Sequence, residues 1–237
     1  MATLHIQDCR LRTDSPIYYA TREVGRLYET GDHLHNFALT YALGLVSEPP
    51  SYHVYWSEPT YERDFAPLTE QGVYVTPASP RRVNHMISSL KFGGETWQET
   101  VFDKRETGNR PNYGRIKEIA PDSWFAFRVI SPEPLRLPRW IRLGIWLGKC
   151  EVMVRGIGTL SVKHEIHTFE DALNPLDLKT MPDSYDIVPM PPNSLIKNAT
   201  LTGDWLTGTL YLTSNQATET IHLPAHMAYF QKVSANG

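Results

Sequence analysis

Cysteine is nearly missing from this chain: of 237 residues only Cys9 and Cys150 carry a thiol. Two isolated thiols are too few for a disulfide framework or a thiolate zinc site, so reduced core residues are expected. No apolar run is long enough to span a bilayer, and the N-terminus has neither a basic nor a long hydrophobic leader region. The expectation is a cytoplasmic chain with no membrane contact, in which the Asn198-Ala199-Thr200 sequon has no meaning. Enzyme signatures are missing as well: there is no Walker loop, no GxGxxG after a strand, no nucleophile elbow and no HExxH. Neither an internal repeat nor a long low-complexity segment is present.

A net charge of −3 conceals an uneven distribution. Residues 81–155 hold 14 Lys or Arg against 8 Asp or Glu, so the middle is basic and the ends are acidic. Such a split suits a nucleic-acid strand held on one face while other faces meet proteins, and it also suits a solvated loop region of mixed charge. Within residues 81–122, Arg81, Arg82, Lys91, Lys104, Arg105, Arg110, Arg115 and Lys117 alternate with Phe92, Trp97, Phe102 and Tyr113. Turn chemistry at Phe92-Gly93-Gly94 and around Pro111 predicts a projecting hairpin. Its cations would meet phosphates and its rings would stack on unpaired bases. The competing reading is an insertion with no ligand.

Hydrophobic patterning predicts strands and few helices. Thr3 to Leu11 alternates as a strand, and Pro16 to Val24 is expected to be its antiparallel partner after the Thr13-Asp14-Ser15 turn. From Pro49 to about Pro80 the abundance of Tyr and Pro predicts irregular extended chain, with a short strand at Gly72 to Thr76. Ser123 to Ile130 and Trp140 to Val154 are the strongest strand segments, expected at the sheet centre, with Gly144 and Gly148 marking a bulge or a close backbone approach. A helical turn is expected at Thr168 to Leu173. Strands are expected near Asp186 to Val188, Lys197 to Thr202, Gly208 to Thr213 and Glu219 to Leu223, with a turn at Thr202-Gly203-Asp204.

Between Tyr18 and Leu45 a strand and a Gly-turned loop precede a short, nearly all-apolar helix whose first turn carries His33, His35 and Asn36. Asp32, or Thr30 with the chain entering through Gly31, is the expected cap. The free N–H groups of that turn would then make an anion site beside two imidazoles and an amide. The plain alternative is a core helix with cap-region histidines. Metal-free RNA cleavage needs a base, an acid and a cation, roles open to His33 or His35, Tyr18 or Tyr41 and a nearby Lys or Arg. His164 and His167 stand three apart on a predicted strand and point to opposite faces, so they cannot share one ion. No metal site and no cofactor are expected.

Tyr18-Tyr19-Ala20-Thr21-Arg22-Glu23, followed by the stretch from His35 to Leu45 and the late His222-Leu223-Pro224-Ala225-His226, resembles the Csc-one family. That family is the Cas-five-type subunit of the type I-D CRISPR effector complex, Cascade. The resemblance implies an α+β chain: a single RAMP-type domain over residues 1–237 with a ferredoxin-like (RRM-related) antiparallel sheet core. It also implies an inserted basic thumb hairpin at 81–122 and a β-rich C-terminal portion at 156–237. The implied role is non-catalytic: to bind and cap the 5′ handle of the crRNA, and to join the backbone and large subunits for antiviral DNA interference, at the end that meets target DNA. The matching RNA-binding set is His33, His35, Asn36, Arg81, Arg82, Lys104, Arg105, Arg110, Tyr113, Arg115 and Lys117. The alternatives are a metal-independent endoribonuclease acting on CRISPR repeat RNA, and a β-rich carbohydrate- or peptide-binding module.

Overall fold

The computed structural model describes residues 4–25, 27–46, 60–92 and 112–231. The described chain is mostly antiparallel sheet with few helices, a β-rich α+β architecture. The larger sheet is built on β1 (Leu4–Thr13), whose alternation sends Cys9 and Leu11 to one face and Asp8, Arg10 and Arg12 to the other. Its two neighbours are β8 (Trp124–Ser131) and β10 (Gly148–Phe169), both antiparallel. Pro16 to Val24 is therefore not the partner of β1. Ile17 makes only an isolated bridge to Ile119, and β2 (Arg22–Val24) pairs with β3 (Leu27–Glu29) in a second, smaller sheet. The reason is local: Asp14 and Ser15 both donate backbone N–H groups to the Lys149 carbonyl, which carries the chain past β10 instead of back along β1.

Across the larger sheet the order runs β11 (Ser184–Val188), β12 (Leu195–Leu212), β10, β1, β8, β4 (Tyr74–Val75). β5 (Ser79–Arg82) also pairs with β8, β9 (Trp140–Leu143) with β10, and β13 (Thr218–Pro224) with β12. Between β1 and β4 the chain passes through α1 (Asn36–Ala42) and α2 (Tyr61–Glu70). Between β8 and β10 it passes through residues 132–139 and β9 without a helix, where a ferredoxin-like core would carry its second crossover helix.

Helix α2 replaces the irregular chain expected at that place. Tyr61, Phe65 and Leu68 recur at helical spacing; Phe65 packs against Phe37 of α1 and Tyr229, and Leu68 is buried in the same cluster. Pro67 removes one N–H from the ladder, yet the helix still closes with Gln71 N–H donating to the Pro67 carbonyl. Trp140 to Val154 is not one strand but the hairpin β9–β10. Gly144 (φ 76°) and Leu147 (φ 53°) both take left-handed conformations in its turn. A Cβ on Gly144 would lie 2.6 Å from the Tyr18 carbonyl and one on Gly148 would lie 2.4 Å from the Pro16 carbonyl, so both glycines are close approaches.

The C-terminal strands fall near their expected places, but Lys197 to Thr202 and Gly208 to Thr213 fuse into the single strand β12, and Gly203 pairs with Glu165 instead of turning. No helical turn forms at Thr168 to Leu173, because β10 runs on to Phe169; the short 3-10 turn comes later, at Pro175–Asp177.

Two buried clusters hold these layers together. One packs Cys9, Leu11, Phe125 and Phe127 of the sheet against Leu34, Leu39 and Leu43; the other gathers Ile6, Phe37, Phe65, Trp205 and Tyr229. The smaller sheet has the order β2-β3-β7-β6, with β6 (His85–Phe92) and β7 (Asn112–Ile119) forming an antiparallel hairpin in register from His85↔Ile119 to Phe92↔Asn112.

Candidate nucleic-acid interface

The start of α1 turns inward. His35 is the N-cap, with Nδ1 accepting from the Phe37 N–H at 3.2 Å; Asp32 and Thr30 do not cap. Asp32 instead meets His33 Nδ1 at 2.8 Å, and Thr30 Oγ1 accepts from the Tyr19 N–H. Asn36 is fully buried. Its amide donates to Asp177 Oδ2 at 2.7 Å, and its carbonyl oxygen accepts from Asn174 at 3.2 Å. The first turn offered by the sequence as an anion site thus points into the core against a carboxylate. His33 and His35 are buried too; His35 and Tyr41 line one largely apolar cavity, at which the Tyr41 hydroxyl donates to Asp64 at 2.8 Å.

Two of these groups have strongly displaced protonation. Burial pulls His35 down to about 4, with the neighbouring Asn193 opposing it. Burial pushes Asp177 up to about 7 against donors from Phe230, Asn36 and Tyr74. Their linkages to stability have opposite sign. Between about pH 4 and 6.5 only the unfolded chain protonates His35, so stability rises with pH; from about pH 4 to 7 only the folded chain keeps the Asp177 proton, so stability falls with pH. Each slope is about 1.4 kcal/mol per pH unit, and the two cancel over most of that range. Urea unfolding between pH 4.5 and 6.5 is expected to show stability rising more steeply with pH in Asp177→Asn than in wild type, and falling relative to wild type in His35→Gln. Identical pH slopes in all three proteins would contradict these assignments.

The other predicted residues divide between the two sheets. Arg81, on β5, makes a paired contact to Asp171 at 2.6 and 2.7 Å, while Arg82 is exposed and donates to the Asp122 carbonyl at 3.3 Å. Burial raises Asp171, but the hydrogen bonds from Arg81 and the charge of Arg128 outweigh it and hold the carboxyl at about 2. Arg115 and Lys117 stand two apart on β7 with buried Ile116 between them, so both face the open side of the smaller sheet. Tyr113 lies on β7 by its backbone. Lys104, Arg105 and Arg110 fall outside the described residues. Only two residues separate Arg82 from the start of β6, so Arg81 and Arg82 stand where the larger sheet hands the chain to the smaller one.

A larger set escaped the sequence reading. On the face of β1 opposite Cys9 and Leu11, Asp8 is fully buried and accepts from Arg10 (3.3 Å), Arg128 (3.2 Å) and Arg155 (2.6 Å). Arg128 also pairs with Asp171, and Arg155 makes two contacts to Glu219 at 2.9 and 2.6 Å. Glu151 receives Arg12 at 2.9 Å and Arg139 at 2.8 Å. Six guanidinium groups therefore surround four carboxylates, a positive surface whose side chains are held in place before any ligand arrives. Strand register sets one row straight across it: Trp140 opposite Glu151, Glu151 opposite Arg12, Arg12 opposite Trp124, and Trp124 opposite Arg82. Arg12 lies 6.0 Å from the Trp124 ring centroid, and Lys149 Nζ lies 3.9 Å from that of Trp140. Between the two indoles stand the ion-paired Glu151 and Arg12, with Arg82 beyond Trp124; rings beside guanidinium groups match what a single strand requires, since phosphates take the positive charges and bases take the rings. The local signal was the alternation Asp8-Cys9-Arg10-Leu11-Arg12; the rest depends on register.

No helix among the described residues is long and apolar enough to cross a membrane. No curated protein matches the chain. The family model described as type I-D CRISPR-associated protein Cas5/Csc1 matches residues 4–232, which takes in both sheets, both helices and the arginine row. With nearly its whole length matched, this chain belongs to the type I-D CRISPR-associated Cas5/Csc1 family.

Proposed function

We propose that this chain is a non-catalytic subunit of a type I-D Cascade that binds and caps the 5′ handle of the crRNA and joins the backbone and large subunits. The observation that carries this reading is the cross-sheet row of Trp140, Glu151, Arg12, Trp124 and Arg82 beside the arginine cluster on Asp8. In this account the handle lies along that row, passes Arg81 and Arg82, and is clasped by the β6–β7 hairpin acting as the thumb, with Arg115 and Lys117 on its base. The order β10-β1-β8-β4, antiparallel throughout, supports descent from a ferredoxin-like core in which β9 stands where the second helix was. The acidic remainder of the chain supplies surface for protein partners.

Repeat-RNA cleavage draws no support from His33 and His35, both buried with their Nδ1 atoms engaged. A carbohydrate- or peptide-binding module would use the exposed Trp and Tyr but has no need of so many guanidinium groups. Salt dependence separates these readings. If the handle contacts about six phosphates, log K against log salt falls with a slope of about −4. A flat dependence for a handle oligonucleotide would overturn the RNA reading and favour the binding module.

A further inference from the structure

At the far end of β10, away from the arginine face, three side chains from two strands converge. Glu165 and His167 stand two apart on β10 and share a face, and His222 comes from β13 across the intervening β12. One donor atom from each lies within 4.8 Å of the other two. Glu165 Oε2 is 3.5 Å from His167 Nε2, and Glu165 Oε1 is 3.4 Å from His222 Nδ1. Ligands at about 2.05 Å around a tetrahedral ion are about 3.3 Å apart, so each imidazole already stands at about that distance from one oxygen of Glu165.

We propose that Glu165, His167 and His222 bind a divalent transition-metal ion of the zinc class. Two imidazoles and one carboxylate favour zinc, cobalt or nickel over magnesium or calcium, which prefer all-oxygen ligands. The surroundings fit this use. Thr207 on β12 donates to Glu165 Oε1 at 2.7 Å and fixes the carboxylate, while fully buried Trp205 packs edge-on against the His167 ring at 5.5 Å. The His167 and His222 rings lie 4.1 Å apart, an arrangement that repels if both are protonated and that a shared cation holds together. All three side chains are about one-third exposed, which leaves the fourth position to water. The ion would tie β13 to the end of β10 and brace the C-terminal strands.

A second group, from β10, β12 and the turn after β13, provides the internal control. His164 Nδ1 lies 3.1 Å from Asp204 Oδ1, and His226 Nε2 lies 3.3 Å from Asp204 Oδ2. Among the described residues, that trio does not bring one donor atom from each within 4.8 Å of the other two.

The test is titration of the chelator-treated full chain with Zn²⁺ and with Co²⁺, followed by calorimetry and the visible bands of low-coordinate cobalt. One equivalent is expected to bind, with a raised Tm. His167→Ala and His222→Gln should each lower Zn²⁺ affinity at least about 100-fold while keeping the wild-type circular dichroism. The pair His164→Ala with His226→Ala should bind as wild type does. Failure of the wild-type chain to bind one equivalent overturns the proposal. So does binding kept by both His167→Ala and His222→Gln, or binding lost in the His164/His226 pair. The readout involves no RNA, so it stands apart from the handle-binding proposal.

Discussion

Replacing Arg82, Arg115 and Lys117 together by Glu is expected to weaken binding of a 5′-handle RNA about 50-fold at about 0.15 M salt. The estimate rests on counterion release: three lost phosphate contacts forgo about two released cations, which flattens the log–log salt slope by about 2. The three positions are suitable because Arg82 and Arg115 are exposed and Lys117 is half-buried. Reversal there should cost little stability. Wild type and variant should converge near 1 M salt, where the electrostatic contribution is gone. Filter binding across a salt series measures both quantities. Equal affinities at low salt would remove these cations from the handle path and leave Arg12 and the arginine cluster on Asp8 to bear the reading alone.

Asp8→Ala should have the largest effect on the fold among single changes at this face. The Asp8 carboxylate is fully buried with three guanidinium groups around it. Its loss leaves those charges facing one another across a low-dielectric space. Removing one partner of a buried ionic cluster costs about 3 to 5 kcal/mol. Arg128 keeps Asp171 and Arg155 keeps Glu219, so the lower figure is expected. For a chain of this size about 3 kcal/mol corresponds to a fall in Tm of about 6 to 12 °C. Glu219→Ala, at the exposed end of the same network, should lower Tm by no more than about 3 °C. Thermal unfolding of both variants decides the matter, and comparable small shifts would mean that Asp8 does not anchor the cluster.

Strand existence was legible where alternation was local. In β1, apolar Cys9 and Leu11 separate Asp8, Arg10 and Arg12, and the pattern reads directly as one apolar and one charged face. Partners were not legible, because Pro16 to Val24 has strand character whichever edge it meets; only the backbone bonds to Lys149 show that it leaves β1. Helix α2 was hidden by Pro67 and by tyrosines that favour strands, while its true signal, the spacing of Tyr61, Phe65 and Leu68, is only three residues strong. Gly144 and Gly148 were legible as close approaches, but the pairing of positive-φ Gly144 and Leu147 that turns the chain is a tertiary outcome.

The site divides in the same way. Asn36 reads as a polar group at an exposed helix start until Asp177, 141 residues later, is brought to its amide. Arg82, Arg115 and Lys117 were visible as charges in a basic segment. The row that joins Arg12 to Trp124 and Trp140 was not, since register between β1, β8, β9 and β10 has no local signature. Sequence spacing places His164 and His167 on opposite sides of one strand, and they indeed meet Asp204 and Glu165 separately. It has no means of placing His222 beside His167, because that contact needs β13 to return along β12.

The most direct test of the handle-binding account is affinity purification of the full chain from cells carrying a type I-D CRISPR array, with sequencing of the bound RNA and mapping of its 5′ ends. The account predicts guides that share one short 5′ sequence, co-purifying with larger protein subunits. Recovery of no RNA, or of RNA whose 5′ ends have nothing in common, would contradict it.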